Sequence, residues 1–208
     1  KNPQLAVQTM TTGLLNCLEL FSESRFIYFS SSMVYGDWPN GSVQETTLCS
    51  PKDLYGQLKY VGEGIVKKIH NKWIIIRPSA VYGPNDDLSR VIPKWVHNVK
   101  TGEPIEVRGD SLLDFTYIDD LAKAVNLCVT SNTINEVFNI SRGKARSLME
   151  AAVQIVEHMG KGEIHKQTHN MDYPQRGTLD VSKAKNMLGY NPTIDIEQGI
   201  KNYIDSIV

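Results

Sequence analysis

Hydrophobic residues in the first part of the chain recur with two alternating spacings. Apolar side chains three or four positions apart over 4–21, and again over 53–70, predict two helices with one buried face each. The β-rich run at 25–29 and the unbroken apolar run at 73–76 predict strands, and the second strand stops at Arg77-Pro78 because proline cannot donate to a ladder. This helix, strand, helix, strand order predicts a parallel sheet joined by crossover helices. The residues expected to face the core are Val7, Met10, Leu14, Leu18 and Phe21 in the first helix, and Leu54, Leu58, Val61, Ile65 and Ile69 in the second.

The pattern loosens after Pro84, where we place the change from an α/β unit to a smaller lobe. A loop rich in glycine, proline and asparagine is predicted over 36–51, and the charged stretch 161–166 is typical of a solvated loop. The elements predicted for the rest of the chain are helices over 88–100, 118–130 and 147–159, strands over 104–108 and 136–140, and short helices near 182–188 and 196–206.

Composition excludes several classes of protein. The 208 residues carry 22 basic and 23 acidic side chains, a net charge of −1, and 41% hydrophobic residues, which is typical of a globular protein rather than a disordered chain. We expect neither nucleic acid nor membrane as a partner, because the chain lacks a basic excess and any apolar run near the roughly 20 residues of a span. Cys17, Cys49 and Cys128 fit no disulfide framework or zinc spacing, which predicts reduced thiols in a cytoplasmic protein. His165 and His169 have no cysteine or carboxylate in register, so no metal site is predicted.

Tyr55 and Lys59 form the sharpest chemical feature of the sequence. Residues four apart on a helix share a face, so we expect the Lys59 ammonium to stabilise the Tyr55 phenolate. Such a charge lowers the pKa of a tyrosine from its usual value of about 10, and the pair could then act as a general acid/base couple. The same spacing also occurs by chance on amphipathic helices with a snorkelling lysine, so the pair alone does not establish catalysis.

Further polar motifs lie where the two strands end. Ser30-Ser31-Ser32 follows the first strand, at the sheet edge where open α/β folds bind ligands, and a serine hydroxyl there can donate to a substrate oxygen. The segment 77–84 ends the second strand at the same edge. Such segments can also satisfy only their own backbone, and Asp119 or Asp120 within 114–120 could simply cap the following helix.

The order of these motifs is more specific than any one of them. Serines at a strand end, Tyr-x-x-x-Lys on the next helix and Arg-Pro after the next strand resemble the extended short-chain dehydrogenase/reductase family, the NAD-dependent epimerases and dehydratases of nucleotide sugars. The matching segments are 29–36, 55–59, 77–84, 114–120, 137–140, 182–185 and 188–192. The resemblance covers essentially the whole chain. It implies a partial Rossmann-like parallel sheet with crossover helices in residues 1–84, and a small α+β substrate lobe in residues 85–208, some segments of which return to the main sheet.

The resemblance also implies roles for individual residues. Catalysis would fall to Ser31, Tyr55 and Lys59, with Tyr55 moving the hydroxyl proton. The residues implied to hold NAD or NADP are Tyr55, Lys59, Pro78, Ser79, Ala80 and Val81. Those implied to contact a nucleotide sugar are Ser32, Met33, Tyr82 and Arg176, the last of them near the diphosphate. In the family, the helices corresponding to 4–21 and 53–70 pack across a dimer, which implies a homodimer here.

Departures from the family pattern narrow the expected reaction. The dehydratase branch carries Asp and Glu after the catalytic Ser/Thr, whereas this chain carries Ser32 and Met33, and methionine cannot transfer a proton, which favours an epimerase. The family often has Asn, Asn and Arg at the positions that Met10, Ala80 and Leu113 occupy here. These differences suggest an atypical substrate or weaker binding of the substrate diphosphate. No Gly-x-x-Gly-x-x-Gly turn occurs, so the glycine-rich cofactor half is expected to be missing and cofactor affinity to be poor. A reductase or dehydrogenase, and a non-catalytic sugar-nucleotide binding module, stay open as alternatives.

Overall fold

The computed structural model describes residues 2–38, 41–109, 111–167 and 175–207. Its helices are α1 Pro3–Val7, α2 Gly13–Leu20, α3 Leu54–Ile69, α4 Val91–Thr101, α5 Ile118–Thr130, α6 Leu148–Met159, α7 Ser182–Leu188 and α8 Ile196–Asp205. Its strands are β1 Phe26–Phe29, β2 Ser42–Val43, β3 Trp73–Pro78, β4 Val81–Tyr82, β5 Ile105–Arg108, β6 Leu112–Leu113, β7 Thr116–Tyr117, β8 Glu136–Ile140, β9 Arg146–Ser147, β10 Ile164–Gln167 and β11 Thr178–Leu179. A 3₁₀ turn, Ser32–Tyr35, follows β1.

The main sheet contains three parallel strands in the order β1-β3-β8. Ile75 of β3 packs into the core beneath α2 and α3, whereas Ile74 and Ile76 pack into the core beneath α5 and α7. Helices on both faces explain why β3 is an unbroken apolar run rather than an alternating one. The predicted fold class, a parallel Rossmann-like sheet with crossover helices, is confirmed.

β3 ends at Pro78, within the Arg77-Pro78 pair where the sequence predicted its end, and Pro78 still pairs with Ile140 of β8. Residues two apart on a strand direct their backbone groups to the same neighbour. The Ile76 carbonyl accepts from the Ser30 amide, on the β1 side, so the nitrogen of Pro78 also faces that side. Since β1 has already ended at Phe29, the missing N–H costs no ladder hydrogen bond.

The predicted buried face of α3 is only partly correct. Leu58 is buried, but Leu54, Val61 and Ile69 are exposed on the described surface, Val61 to 49%. The buried stripe instead runs along Gly56, Leu58, Gly62, Glu63 and Val66. A Cβ on Gly62 would lie 2.1 Å from the hydroxyl oxygen of Tyr28, so the helix packs on β1 through a glycine rather than through the larger apolar side chains.

The helix predicted over 4–21 is interrupted. A π turn over Gln8–Thr12 separates α1 from α2, and the Thr11 hydroxyl donates to the Val7 carbonyl at 2.6 Å within it. Of the five residues predicted to face the core, Leu14 and Leu18 are buried, Met10 is partly buried, and Val7 and Phe21 are exposed.

A second core lies beyond the carboxyl ends of the main strands. It collects side chains of β4, β5, β7, α4, α6 and α8, including Tyr82, Trp95, Tyr117, Ile155 and Ile200. The stretch 161–166, predicted to be a solvated loop, is partly strand: β10 pairs with β5 in parallel, with Ile164 opposite Ile105. Its charged side chains face outward while Ile164 packs against the core, which hides the strand from a composition-based prediction.

The longest described helix, α3, has 16 residues. Within the four described ranges, no helix is both long and apolar enough to cross a membrane.

Candidate active site

The serine motif is held at the carboxyl end of β1. The Ser30 amide donates to the Ile76 carbonyl at 2.8 Å, which ends the pairing of β1 with β3. Ser31 then caps the 3₁₀ turn, because its Oγ accepts from the Met33 amide at 3.2 Å. Gly36 ends this turn with a φ of 77°, and a Cβ there would lie 2.1 Å from the Ser50 carbonyl oxygen, so only glycine fits. The fold thereby fixes the three serines at the carboxyl end of β1, at the edge of the sheet.

Tyr55 and Lys59 project from the first turns of α3. The side chain of Asp53 caps this helix by accepting from the Gly56 amide at 2.7 Å, which fixes the start of the helix and the position of Tyr55. Tyr55 is 47% exposed. The Lys59 Nζ lies 5.7 Å from the centre of the Tyr55 ring and 5.3 Å from that of Tyr28, and it donates to the Phe29 carbonyl at 2.6 Å. Burial holds the pKa of Lys59 below its usual value.

A cavity of about 550 Å³ opens above these residues. Its wall contains nine of the residues predicted to form the site: Ser31, Ser32, Met33, Tyr55, Pro78, Ala80, Val81, Tyr82 and Arg176. Lys59 and Ser79 do not line it. Lys59 lies behind Tyr55, at the end of β1, and Ser79 is buried in the turn between β3 and β4. The roles assigned to these residues stay predictions, but most of the predicted site residues line one cavity.

The turn after β3 is tied to β7 by Thr116. The Thr116 hydroxyl donates to the Ser79 carbonyl at 2.6 Å, and the Thr116 amide donates to the Ala80 carbonyl at 3.2 Å. Ala80 has a φ of 36°, in the left-handed region where asparagine is enriched among non-glycine residues. The Ser79 Oγ is buried and has no hydrogen-bond partner among the described residues. This turn therefore offers a fixed backbone and one unused hydroxyl beside the cavity.

A buried polar network lies beneath the serines. Glu63 accepts two hydrogen bonds from the Arg77 guanidinium, at 2.8 and 2.7 Å, and one from the Ser30 hydroxyl at 2.6 Å. Arg77 also donates to the Tyr35 hydroxyl at 2.9 Å, and Tyr35 donates to Asn139 at 2.7 Å. Burial acts to lower the pKa of Arg77, but its hydrogen bonds to Glu63 and the nearby anionic groups raise it above its usual range. Burial raises the pKa of Tyr35 to about 12. The network joins the carboxyl ends of β1, β3 and β8. Its central residue, Glu63, lies one helical turn after Lys59 on α3.

Sequence reasoning missed the opposite wall of the cavity. The residues there that it did not single out are Asp86, Ser89, Arg90, Val91, Ile92, Pro93 and Phe115. Leu113, noted as a departure from the family pattern, also lines this wall. The available signal was the polar run Asp86 to Arg90 directly before α4, since polar residues that precede a helix at a lobe boundary often face a ligand site.

The predicted absence of carboxylates near His165 is wrong. Its Nδ1 lies 3.4 Å from Glu106 and its Nε2 lies 3.4 Å from Glu163, because β10 pairs His165 with Glu106. His169 lies outside the described residues. No group of three or more potential metal-ligating side chains occurs in the described part of the chain.

Comparison with known proteins identifies the family of this chain. The sequence model of the NAD dependent epimerase/dehydratase family matches residues 1–141. The chain belongs to this family. A UDP-glucuronate 4-epimerase of Thermodesulfobacterium geofontis is 29% identical over 220 residues, covering 99% of this chain and 67% of that protein. A dTDP-glucose 4,6-dehydratase of Xanthomonas campestris is 26% identical over 235 residues, covering 99% and 67%.

Structural comparison agrees with the family assignment. The crystal structure of UDP-glucuronic acid 4-epimerase from Bacillus cereus, in complex with UDP-glucuronic acid and NAD, superposes with a TM-score of 0.89 at 27% identity. It is matched over 97% of this chain and 68% of its own. The chain spans only 61 to 66% of the length of three other curated relatives. Epimerases and dehydratases both occur among the relatives, so the family assignment leaves the reaction open between them.

Proposed function

We propose that this protein is an NAD(P)-dependent epimerase of a nucleotide sugar. The observation that carries the proposal is the cavity in which the hydroxyls of Ser31 and Tyr55 share a wall with Met33 and Arg176. Bacillus cereus UDP-glucuronic acid 4-epimerase, which the chain resembles in fold, was crystallised with a UDP-sugar and NAD. The cavity is large enough for part of a nucleotide sugar, since pockets for small ligands typically hold about 300–1,000 Å³.

Proton transfer is the step that the described residues themselves can perform. Tyr55, at the cavity wall, would take the proton from a sugar hydroxyl and return it in the reverse step. The Lys59 ammonium lies 5.7 Å from the centre of the Tyr55 ring, and the Ser31 hydroxyl would orient the substrate oxygen. A nicotinamide dinucleotide, when bound, supplies the hydride acceptor and donor for this chemistry.

The residues beside the cavity fit such a cofactor. The Lys59 ammonium group has three N–H donors, and one of them is hydrogen-bonded to the Phe29 carbonyl. The other two can donate to a ligand. The Ser79 hydroxyl is buried without a partner in the described chain, and Pro78, Ala80 and Val81 supply an apolar wall. Hydroxyl and ammonium donors next to an apolar surface suit a ribose joined to a flat nicotinamide ring. We therefore assign Lys59 and Ser79 to the ribose, and Pro78, Ala80 and Val81 to the ring.

Met33 favours epimerisation over dehydration. Elimination of water needs an acid at the sugar, and the two residues after Ser31 are Ser32 and Met33, both in the cavity wall. The Met33 sulfur accepts a long contact, 3.6 Å, from the Arg176 guanidinium, and it carries no proton to transfer. Among the residues that line the described cavity, Asp86 is the one carboxylic acid, and it belongs to the opposite wall.

The test is a product assay with UDP-glucose, UDP-glucuronate and dTDP-glucose in the presence of NAD. We expect exchange between C4 isomers, followed by NMR, without accumulation of reduced nicotinamide. Tyr55→Phe should abolish exchange, while Tyr60→Phe, on the exposed surface of the same helix, should retain it. Stoichiometric reduced cofactor would instead identify a dehydrogenase or reductase, and a 4-keto-6-deoxy product would identify a dehydratase.

Calorimetry with NAD separates an enzyme from a binding module. Binding of a nucleotide sugar without any binding of NAD would support the non-catalytic alternative and contradict the epimerase. Micromolar binding of NAD would contradict the expectation of poor cofactor affinity that the missing glycine-rich turn suggested. The predicted cytoplasmic location is not addressed by either assay and stays a prediction.

We also propose that the protein forms a homodimer through α1, α2 and α3. These helices expose a set of large apolar side chains on the described surface: Leu5, Val7, Leu15, Leu54, Val61 and Ile69. Exposed apolar residues grouped on neighbouring helices are typical of an interaction surface. The proposal rests on this surface and on the family resemblance.

A further inference from the structure

Lys59 holds its ammonium group without an acidic partner in the described parts of the chain. Its hydrogen bond there is to a neutral acceptor, the Phe29 carbonyl, at 2.6 Å. Burial lowers the pKa of Lys59, so its surroundings disfavour the charged form. A partly buried positive charge needs other electrostatic support, and the faces of aromatic rings can supply it.

Two tyrosine rings lie within cation–π distance of this ammonium group. The Nζ of Lys59 is 5.3 Å from the centre of the Tyr28 ring and 5.7 Å from that of Tyr55. Tyr55 belongs to the same helix as the lysine and is 47% exposed, whereas Tyr28 belongs to β1 and is buried. Because a cation–π contact strengthens when water is excluded, the Tyr28 ring is the stronger of the two supports.

Tyr28 contacts the backbone of the lysine as well as its side chain. The Tyr28 hydroxyl donates to the Lys59 carbonyl at 3.4 Å, a long hydrogen bond. The next residue of β1 is Phe29, whose carbonyl accepts from the ammonium group. Two adjacent residues of one strand therefore hold both ends of Lys59.

The packing between β1 and α3 leaves room for the Tyr28 side chain. A Cβ on Gly62 would lie 2.1 Å from the Tyr28 hydroxyl oxygen, so the glycine provides the space that the hydroxyl occupies. Burial, and after it the charge of Glu63, raise the pKa of Tyr28 to about 12. The phenol therefore keeps its proton at neutral pH, and its ring is a neutral, fixed partner for the ammonium group.

We propose that Tyr28 is a positioning residue, which holds the Lys59 ammonium group beside the Tyr55 ring although Tyr28 lies outside the Ser-Tyr-Lys motif. The proposal rests on the proposed epimerase function, in which Lys59 and Tyr55 act together. A lysine side chain has many rotamers, and the Tyr28 ring and the Phe29 carbonyl restrict them to those that direct the two remaining N–H donors toward a ligand. The ring carries this role, and the hydroxyl contributes little because its hydrogen bond is long.

Chemical labelling of lysines tests the position of Lys59 without any turnover. Acetic anhydride reacts with the neutral amine, so a lysine that loses a cation–π contact and gains access to solvent reacts faster. We expect Tyr28→Leu to raise the labelling rate of Lys59 about fivefold to tenfold, measured by mass spectrometry of peptides. The internal reference is Lys68, an exposed lysine of the same helix.

Two matched variants separate the ring from general packing. Tyr28→Phe retains the ring, so the labelling rate of Lys59 should stay within about twofold of that of the unmodified protein. Leu18→Ala removes a buried side chain from the same core cluster and should leave the labelling of Lys59 within about twofold as well. An equal increase in Leu18→Ala and Tyr28→Leu would identify general loosening and overturn the proposal.

A pair of similar shape covers the case in which Tyr28→Leu does not fold. Tyr28→Phe and a variant with trifluorophenylalanine at position 28 differ little in size, but the fluorines withdraw the negative charge from the face of the ring. Labelling of Lys59 should be faster in the fluorinated variant. Equal labelling in this pair would overturn the proposal.

The kinetics of isomer exchange separate this inference from the function on which it rests. In Tyr28→Leu we expect kcat to fall about tenfold while KM for the nucleotide sugar stays within about twofold, and in Tyr28→Phe we expect most of kcat to be retained. If exchange occurs and Tyr28→Leu retains full kcat, the function stands and the positioning role is overturned. If labelling of Lys59 depends on the ring but the unmodified protein exchanges no isomers, the epimerase proposal fails and the contact that positions Lys59 is supported.

Discussion

Removing the Glu63 carboxylate should destabilise the protein more than any other single change considered for this chain. Glu63 is fully buried and accepts three hydrogen bonds, two from Arg77 and one from Ser30. In Glu63→Ala the Arg77 guanidinium stays buried, and its described partners are then only the Tyr35 hydroxyl and the Glu45 carbonyl.

The expected cost is about 3–5 kcal/mol, which is typical when one partner of a buried ion pair is removed. Most of it comes from the uncompensated guanidinium rather than from the lost attraction. For a chain of this length the melting temperature should fall by roughly 6–20 °C. Replacing both partners, as in Glu63→Leu/Arg77→Met, should recover at least half of the loss because no charge is then left buried.

Urea unfolding followed by circular dichroism measures these differences. Glu103→Ala, at an exposed glutamate, is the control and should change the free energy of unfolding by less than about 0.5 kcal/mol. The reasoning is refuted if Glu63→Ala costs less than about 1 kcal/mol, or if the double variant is less stable than the single one.

Three further predictions concern α3, the α6 cap and the helix surface. Gly62→Ala should lower the free energy of unfolding by about 1–3 kcal/mol because its Cβ meets β1, whereas Gly64→Ala, with open space around it, should raise it by about 0.5–1 kcal/mol; equal effects in urea unfolding would contradict this. Backbone and side-chain hydrogen bonds from Ser147 hold the pKa of Glu150 in the folded protein below its usual value of 4.5. The Glu150 carboxylate therefore stabilises the folded state above pH 4.5, and this contribution to the free energy of unfolding is lost as the pH falls through the lower pKa of the folded state. The stability advantage over Glu150→Gln should therefore shrink between pH 6 and pH 3 in acid unfolding, and a constant difference would count against it. Val61→Asp should shift the sedimentation profile from dimer to monomer while Val129→Asp, equally exposed on α5, leaves it unchanged; the reverse result would move the interface elsewhere.

The sequence predicted best those elements whose pattern reflects one buried face and two clear ends. Helix α5 and strand β8 have the predicted bounds, 118–130 and 136–140. The two-residue strands β4, β6 and β7 were missed, because two residues carry no periodicity and their pairing is set by contacts distant in sequence. The face of α3 was misassigned for a related reason, since glycine contributes nothing to a hydrophobic pattern yet permits the closest packing.

The candidate site divides in the same way. Ser31, Tyr55 and Arg176 could be predicted because they belong to motifs with fixed spacing or position. Arg90 could not, since its place in the cavity depends on where α4 begins relative to β4, and neither periodicity nor composition contains that information. Glu63 was missed as well, because a charged residue on an amphipathic helix is expected to face solvent unless its partner is known.

The hydrogen bond from Lys59 to the Phe29 carbonyl also affects the side of β1 that pairs with no strand among the described residues. Phe26 and Ser30 direct their amides to the β3 side, so the backbone groups of Ile27 and Phe29 point to the opposite edge. Any strand added at that edge could pair at Ile27, but it would meet an ammonium group at Phe29. A strand that paired at Phe29 would therefore have to displace this ammonium group from the carbonyl.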